Sequence, residues 1–156
     1  MTAEVARLCK KSMESVSLGT KEENIQHGRD YYKFLFTNYP ELRIYFKGVE
    51  HYTAEDVQTS ERFEKGGARA LLAAHLLAET FENQQVFKAY VRETINHHRV
   101  HKMDPALWLE FFTVFVKYLE TKTAVNEETK EAWAEMGRVF NAEAQAHLKN
   151  LNLPHV

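Results

Sequence analysis

A histidine at the end of a helical segment is the residue of this chain best suited to chemistry. The segment Tyr90–His98 has helical spacing, and His98 follows the apolar residues Phe87, Val91 and Ile95 at intervals of three and four. A neutral imidazole on such a face can donate a ring-nitrogen lone pair to a metal. The alternative is a hydrogen-bonded core histidine, which is the commoner role of a histidine on an apolar face.

Other chemically capable residues offer weaker patterns. His97 and His101 are spaced i, i+4, with Glu93 one turn earlier, so they would form either a surface zinc stripe or a solvated helix face. His75 lies among leucines and alanines and is predicted to be a structural, hydrogen-bonded residue. The single cysteine, Cys9, excludes an intrachain disulfide and is predicted to lie in the core.

The composition bounds the class of protein. A chain of 156 residues fits one domain, 1–156, with a substantial core. The net charge is −2 and charges of both signs are mixed along the chain. The sequence therefore lacks the basic stripe that is typical of nucleic-acid-binding proteins. No apolar run reaches the roughly 18 residues that would cross a membrane. These features favour a cytoplasmic protein.

The elements that position these residues are predicted to be helices throughout, because no segment alternates polar and apolar residues. Start signals are a capping-box pattern at Thr20-Lys-Glu-Glu23, Asp104 before Pro105, and Asn126 before two acids. A short turn is expected to open at Thr53. The longer helices cover about residues 3–17, 20–38, 59–80, 83–99 and 104–122, and a last long helix follows from 126. A short helix is expected over residues 40–46.

One helix is unusually rich in small residues, from Gly66 to Ala74. Each glycine inside a helix costs about 1 kcal/mol relative to alanine, so such a residue needs a reason. Gly28 and Gly67 are predicted to be the two sides of a close helix crossing, whereas Gly66 has no packing reason. A helix with a near-terminal histidine opposite a helix of small residues is one arrangement of a helical sandwich around a flat cofactor.

Several stretches together resemble nematode globins, and the resemblance covers essentially the whole chain. They are Tyr39-Pro-Glu-Leu-Arg-Ile-Tyr-Phe-Lys-Gly48, Tyr52-Thr-Ala-Glu-Asp-Val-Gln58, Arg92-Glu-Thr-Ile-Asn-His-His-Arg99, Lys102-Met-Asp-Pro-Ala-Leu-Trp108 and His147-Leu-Lys-Asn-Leu-Asn-Leu-Pro-His155. The resemblance implies a three-on-three globin fold around haem b. His98 matches the proximal histidine that binds iron, and Phe46 matches the phenylalanine that packs against the porphyrin. Tyr32 matches the distal tyrosine that donates a hydrogen bond to bound oxygen.

The distal side departs from the family pattern at two positions. The family has Lys-Gln-Gly where this chain has Lys65-Gly66-Gly67, so Gly66 replaces the distal glutamine. One turn later Ala70 replaces a branched apolar residue. Both changes enlarge the pocket, by natural divergence or by engineering. We expect weaker oxygen retention and faster oxidation than in a relative with the amide. Arg69 is a candidate partner for a haem propionate, or part of a solvated face.

The resemblance implies reversible binding of O2, CO or NO for oxygen storage or transport, in a cytoplasmic homodimer. An alternative is a haem enzyme that uses the space at Gly66 and Ala70. Such an enzyme would be peroxidase-like, a nitric oxide dioxygenase, or an engineered carbene or nitrene transferase. The sequence leaves open whether the protein is an enzyme. A third alternative is a haem-free helical module, which would either bind zinc through His97 and His101 or bind another protein.

Overall fold

The computed structural model describes residues 1–156 and contains only helices and connecting turns. The α-helices are α1 (Thr2–Ser12), α2 (Glu22–Asn38), α3 (Ala54–Thr59), α4 (Glu61–Thr80), α5 (Gln84–His98), α6 (Leu107–Glu120) and α7 (Glu127–Asn150). Short 3₁₀ helices cover Met13–Val16, Pro40–Tyr45 and Arg99–His101. The all-α prediction is therefore confirmed.

Two helices begin at the predicted residues, where a side chain caps the first backbone N–H groups of the helix. The Asn126 side chain accepts a hydrogen bond from the Thr129 N–H at 2.8 Å, which begins α7. The Thr53 hydroxyl accepts from the Asp56 N–H at 3.1 Å, and the Asp56 carboxylate accepts from the Thr53 N–H at 2.9 Å. This reciprocal capping box begins α3.

Two other starts were wrong in detail. The N-cap of α2 is Lys21 rather than Thr20, and the Lys21 N–H donates to the side-chain oxygen of Asn24 at 3.3 Å. The Asp104 carboxylate accepts from the Ala106 N–H at 3.0 Å, so it closes a turn and α6 begins only at Leu107. Short polar side chains form local turns as readily as helix caps, and that competition shifts both boundaries.

The helices form two compact units, of which the first contains residues 1–12 and 76–156. Here α7 packs against α1, α5 and α6. The buried aromatic rings of this unit are Phe81, Phe87, Trp108, Phe112, Phe115, Tyr118, Trp133 and Phe140. Arg92 of α5 donates to Glu143 of α7 at 2.7 Å, and this ion pair lies beside the apolar contact of the two helices. The face of α5 that precedes His98 is thus held against α7.

The second unit contains residues 13–75. In it α2 contacts α3 and the 3₁₀ helix Pro40–Tyr45. A Cβ atom added to Gly28 would lie 2.6 Å from the carbonyl carbon of Gly67, so two backbones meet there without intervening side chains. The predicted close crossing of α2 and α4 is therefore present. The assignment of the chain as a single globin domain, 1–156, stays a prediction.

This crossing gives a stability prediction. We expect Gly28→Ala to lower the free energy of unfolding by about 2 kcal/mol, because the added methyl meets backbone that must move away. Gly66→Ala is the matched control on α4, since its Cβ atom would lie 3.4 Å from the Tyr32 ring, an ordinary contact. Urea unfolding at one fixed haem content measures both. If the two substitutions lower the free energy of unfolding equally, the close helix crossing at Gly28 does not account for the effect.

Candidate functional site

His98 is held at the end of α5 in one defined tautomer. The helix is capped at its start by the Asn83 side chain, which accepts from the Val86 N–H at 3.3 Å. At its end the His98 Nδ1 atom lies 2.8 Å from the Thr94 carbonyl oxygen. A carbonyl only accepts, so Nδ1 carries the proton and donates it. The lone pair of Nε2 is consequently left for a metal.

The surroundings of His98 favour its neutral form. Its ring meets the edge of Trp108 with centroids 5.2 Å apart and planes at 83°. Burial lowers the pKa of His98 below its usual value, and the Thr94 carbonyl opposes this shift. The positive charges that His101 and His97 can carry lower the same pKa further. The imidazole is therefore unprotonated at neutral pH, as a metal ligand must be.

Tyr32 lies in a cluster of aromatic rings that we call the Tyr32 cluster, made of Tyr32, Phe36, Phe46 and Phe63. The Tyr32 ring centroid lies 5.5 Å from that of Phe46 and 5.1 Å from that of Phe63. Phe36 is 5.3 Å from Phe46 and 5.0 Å from Phe63. These rings come from α2, the residue after the 3₁₀ helix Pro40–Tyr45, and α4. An edge-on contact with Phe46 and a tilted contact with Phe63 thus hold the ring of Tyr32 in place.

The hydroxyl of Tyr32 remains a hydrogen-bond donor at neutral pH. Burial raises the pKa of Tyr32, and the positive charges of Arg69 and Arg62 only partly oppose that shift. The hydroxyl makes no hydrogen bond to another group of the protein, so its proton is available to a ligand. Because the ring is held by its neighbours, the position of the hydroxyl oxygen is fixed without a second polar partner.

Gly66 leaves space beside that hydroxyl. A Cβ atom on Gly66 would lie 3.4 Å from the Tyr32 ring and 3.9 Å from the hydroxyl oxygen, so packing does not require glycine here. Ala70, one turn later on α4, is half-buried, and Arg69 is exposed. The second unit therefore brings together Tyr32, Phe46 and Gly66, whereas His98 belongs to the first unit.

Three residues near the predicted site were not assigned a role from the sequence. Thr94 had a usable signal, because the carbonyl four residues before a helical histidine lies on its own face. Phe63 had only helical spacing on α4 as a signal, and the structure places its ring against Tyr32. Trp108 had no such signal, since a 3₁₀ helix and a turn separate it from His98.

The remaining candidates are placed as follows. No group of three or more His, Cys, Asp and Glu side chains is arranged to hold a metal ion, so the zinc stripe through His97 and His101 is not formed.

The His75 Nε2 atom lies 3.0 Å from the Val16 carbonyl oxygen, which agrees with a structural role. Cys9 is buried, and burial raises its pKa to about 12. None of the helices combines the length and apolarity needed to cross a bilayer.

Comparison with known proteins identifies the class. Residues 29–144 match the globin family. A globin-like protein of Caenorhabditis elegans is 58% identical over 153 residues, which cover 98% of this chain and 96% of that protein. A myoglobin of Nippostrongylus brasiliensis is 48% identical over 154 residues, 99% of each chain. A solved structure of a C. elegans globin-like protein has a TM-score of 0.99 at 57% identity and covers 100% of this chain and 99% of its own.

The chain belongs to the globin family, and it is similar over nearly its whole length to nematode members. The predicted globin fold and the predicted family are thereby confirmed. Family membership implies a haem cofactor, and the residues described above fit one. His98 offers an unprotonated Nε2 atom, and Tyr32 offers a donor without a protein partner.

Proposed function

We propose that this protein binds haem b through His98 and binds O2 reversibly, for oxygen storage. The observation that carries the proposal is the hydrogen bond from His98 Nδ1 to the Thr94 carbonyl, which puts the ring proton on Nδ1 and leaves the Nε2 lone pair for iron. Haem held by one histidine supplies an open coordination position for diatomic gases. The myoglobins of N. brasiliensis and Ascaris suum, 48% and 46% identical, support an oxygen-binding role.

The proximal side depends on how His98 is held. Thr94 fixes the proton on Nδ1 and therefore keeps the ring in one tautomer. The edge of Trp108 limits rotation of the imidazole about its Cβ–Cγ bond. Together the two contacts orient Nε2 before haem binds, so less side-chain entropy is lost on coordination.

The distal side depends on Tyr32. We propose that its hydroxyl donates a hydrogen bond to the bound gas, with Phe46 packed against the porphyrin. Gly66 contributes no side-chain donor, so Tyr32 acts without the amide that relatives usually have. The missing side chain at Gly66 and the small methyl group of Ala70 would leave room for water, which would speed oxidation of the haem.

The finer parts of the proposal rest on the resemblance to nematode globins. CO and NO are expected to bind at the same position as O2, and Arg69 is expected to pair with a haem propionate. We further infer a cytoplasmic homodimer, with storage or transport as the role. The single cysteine agrees with a reducing compartment, and sedimentation of the haem-loaded protein measures the oligomeric state.

The test is an absorption spectrum of the hemin-reconstituted, reduced protein before and after addition of O2 and CO. We expect five-coordinate ferrous haem whose spectrum changes with each gas and returns when the gas is removed. A colourless protein that does not take up hemin would contradict the proposal and favour the haem-free helical module. Efficient turnover of a bulky organic substrate would instead favour the enzyme alternative.

Restoring a distal amide tests the assignment of Gly66. We expect Gly66→Gln to slow O2 release about fivefold, the effect of one added neutral hydrogen bond of about 1 kcal/mol. Gly66→Leu is the matched control, because it adds volume without a donor. Stopped-flow displacement of O2 by CO measures the release rates. If the glutamine variant releases O2 as fast as the parent, Gly66 does not occupy the distal position.

A further inference from the structure

Trp108 is the first of a row of aromatic rings that begins at the proximal histidine. Its side chain is buried, and its ring meets His98 edge-on with centroids 5.2 Å apart. On its other side it packs against Phe140, with ring centroids 5.8 Å apart. If a cofactor bound to His98 takes an electron from the protein, the indole ring of Trp108 is therefore the aromatic donor next to that histidine.

The row continues from Phe140 to a second tryptophan. Phe140 lies 5.2 Å from Phe112, and Phe112 lies 6.5 Å from Trp133, measured between ring centroids. Trp133 is 1% exposed, so an oxidised indole there would be shielded from solvent. Its indole N–H donates to the Ser12 hydroxyl oxygen at 2.9 Å, and that bond stabilises positive charge on the ring.

The chemistry of the rings separates their roles. Indole is among the side chains most easily oxidised by one electron, whereas a phenyl ring is not oxidised under the same conditions. Within this row of four rings, Trp108 and Trp133 are therefore the two side chains from which an electron can be removed. Phe112 and Phe140 fill the space between them with closely packed rings and keep water out.

We propose that Trp108 is the first protein electron donor when the bound haem reacts with a peroxide, and that Trp133 is the second. The proposal rests on the proposed haem ligation by His98. Hydrogen peroxide takes up two electrons and two protons from solvent and gives two water molecules. In the haem-loaded protein one of these electrons would come from the ferric haem group, and Trp108 would supply the other, which leaves an indole radical cation at Trp108. Trp133 then gives one electron to Trp108, so the cation moves to Trp133.

The experiment is electron paramagnetic resonance of the ferric, haem-loaded protein, freeze-quenched after a single equivalent of hydrogen peroxide. The protein is prepared with ordinary tryptophan and with ring-deuterated tryptophan. We expect an organic radical whose hyperfine splitting narrows on deuteration, which places it on indole. A radical unaffected by deuteration, or the lack of any organic radical, would overturn the proposal. This comparison needs no substitution, so it is independent of whether a variant folds.

Two variants assign the order of the donors. Trp108→Phe should lose the tryptophan radical at the earliest times, because the phenyl ring keeps the packing but cannot be oxidised. Trp133→Phe is the matched control and should retain a radical, now confined to Trp108. The reverse pattern, or a radical unchanged in Trp108→Phe, overturns the assignment of Trp108.

An absorption spectrum taken before peroxide addition separates this proposal from the proposed function. Haem bound through His98 without a tryptophan radical afterwards overturns the redox role of Trp108 alone. A spectrum without histidine-bound haem overturns both proposals.

Discussion

His98→Gly should abolish protein coordination of the haem iron, and added imidazole should restore it. Glycine removes the whole ring and leaves a space of matching shape beside Trp108, into which free imidazole fits. The loss is expected to be complete, because His97 and His101 carry exposed side chains and Thr94 directs only the His98 ring. No other substitution considered for this chain has a larger expected effect on function.

The measurement is the ferrous absorption spectrum of the hemin-reconstituted variant with and without imidazole. His97→Gly is the matched control, because it removes the neighbouring imidazole of the same helix and has the same cost in helix propensity, about 1 kcal/mol for glycine against alanine. It should leave the spectrum of histidine-bound haem intact. If His98→Gly keeps that spectrum while His97→Gly or His101→Gly loses it, the position of the proximal ligand is wrong and the whole site must be reassigned.

Most of the fold follows from local patterns in the sequence. Helical spacing gives all of the long helices, and the caps at Thr53 and Asn126 begin α3 and α7 as expected. The starts of α2 and α6 were less predictable, since Lys21 and Ala106 do not resemble helix caps. In both cases a nearby polar side chain, Asn24 or Asp104, accepts a hydrogen bond from a backbone N–H group. Such a hydrogen bond is compatible with several first residues for the helix.

The crossing of Gly28 with Gly67 was predictable because a glycine inside a helix needs a compensating contact. The aromatic contacts were not, because ring-to-ring contacts depend on tertiary packing. Tyr32 has helical spacing with Gly28 and Phe36, yet its neighbour Tyr31 is the more deeply buried of the two tyrosines. Likewise, no local pattern connects Trp108 with His98.

The resemblance contributed what periodicity could not, namely the role of each site residue. It implies a donor at Tyr32 and an absent amide at Gly66, and the structure shows what holds the Tyr32 ring. Tyr32 is held by rings rather than by a polar partner, so its hydroxyl has no competing acceptor in the protein. As the proposed distal donor, Tyr32 would need no second side chain to hold its ring in place.

Tyr32→Phe should therefore accelerate O2 release strongly. The substitution deletes one oxygen atom and keeps the ring contacts with Phe46 and Phe63, so the change in rate reports the hydrogen bond itself. A hydrogen bond to a ligand that gains negative charge contributes about 2 kcal/mol, which corresponds to release faster by roughly 30-fold. Release of CO, a less polar ligand, should change much less. Tyr31→Phe is the matched control and should leave both rates near those of the parent.

The two ligands and the two tyrosines together decide the role of the hydroxyl. If Tyr32→Phe accelerates O2 and CO release equally, the hydroxyl acts through the shape of the pocket rather than by donating. If Tyr31→Phe produces the larger change, the distal donor is Tyr31, and the face of α2 toward the haem differs by about one residue, or 100°. A double variant tests whether Tyr32 and an amide at position 66 act on the same ligand. In Tyr32→Phe/Gly66→Gln, the change in the O2 release rate should differ from the sum of the two single changes, expressed as free energies, because both donors would bond one ligand.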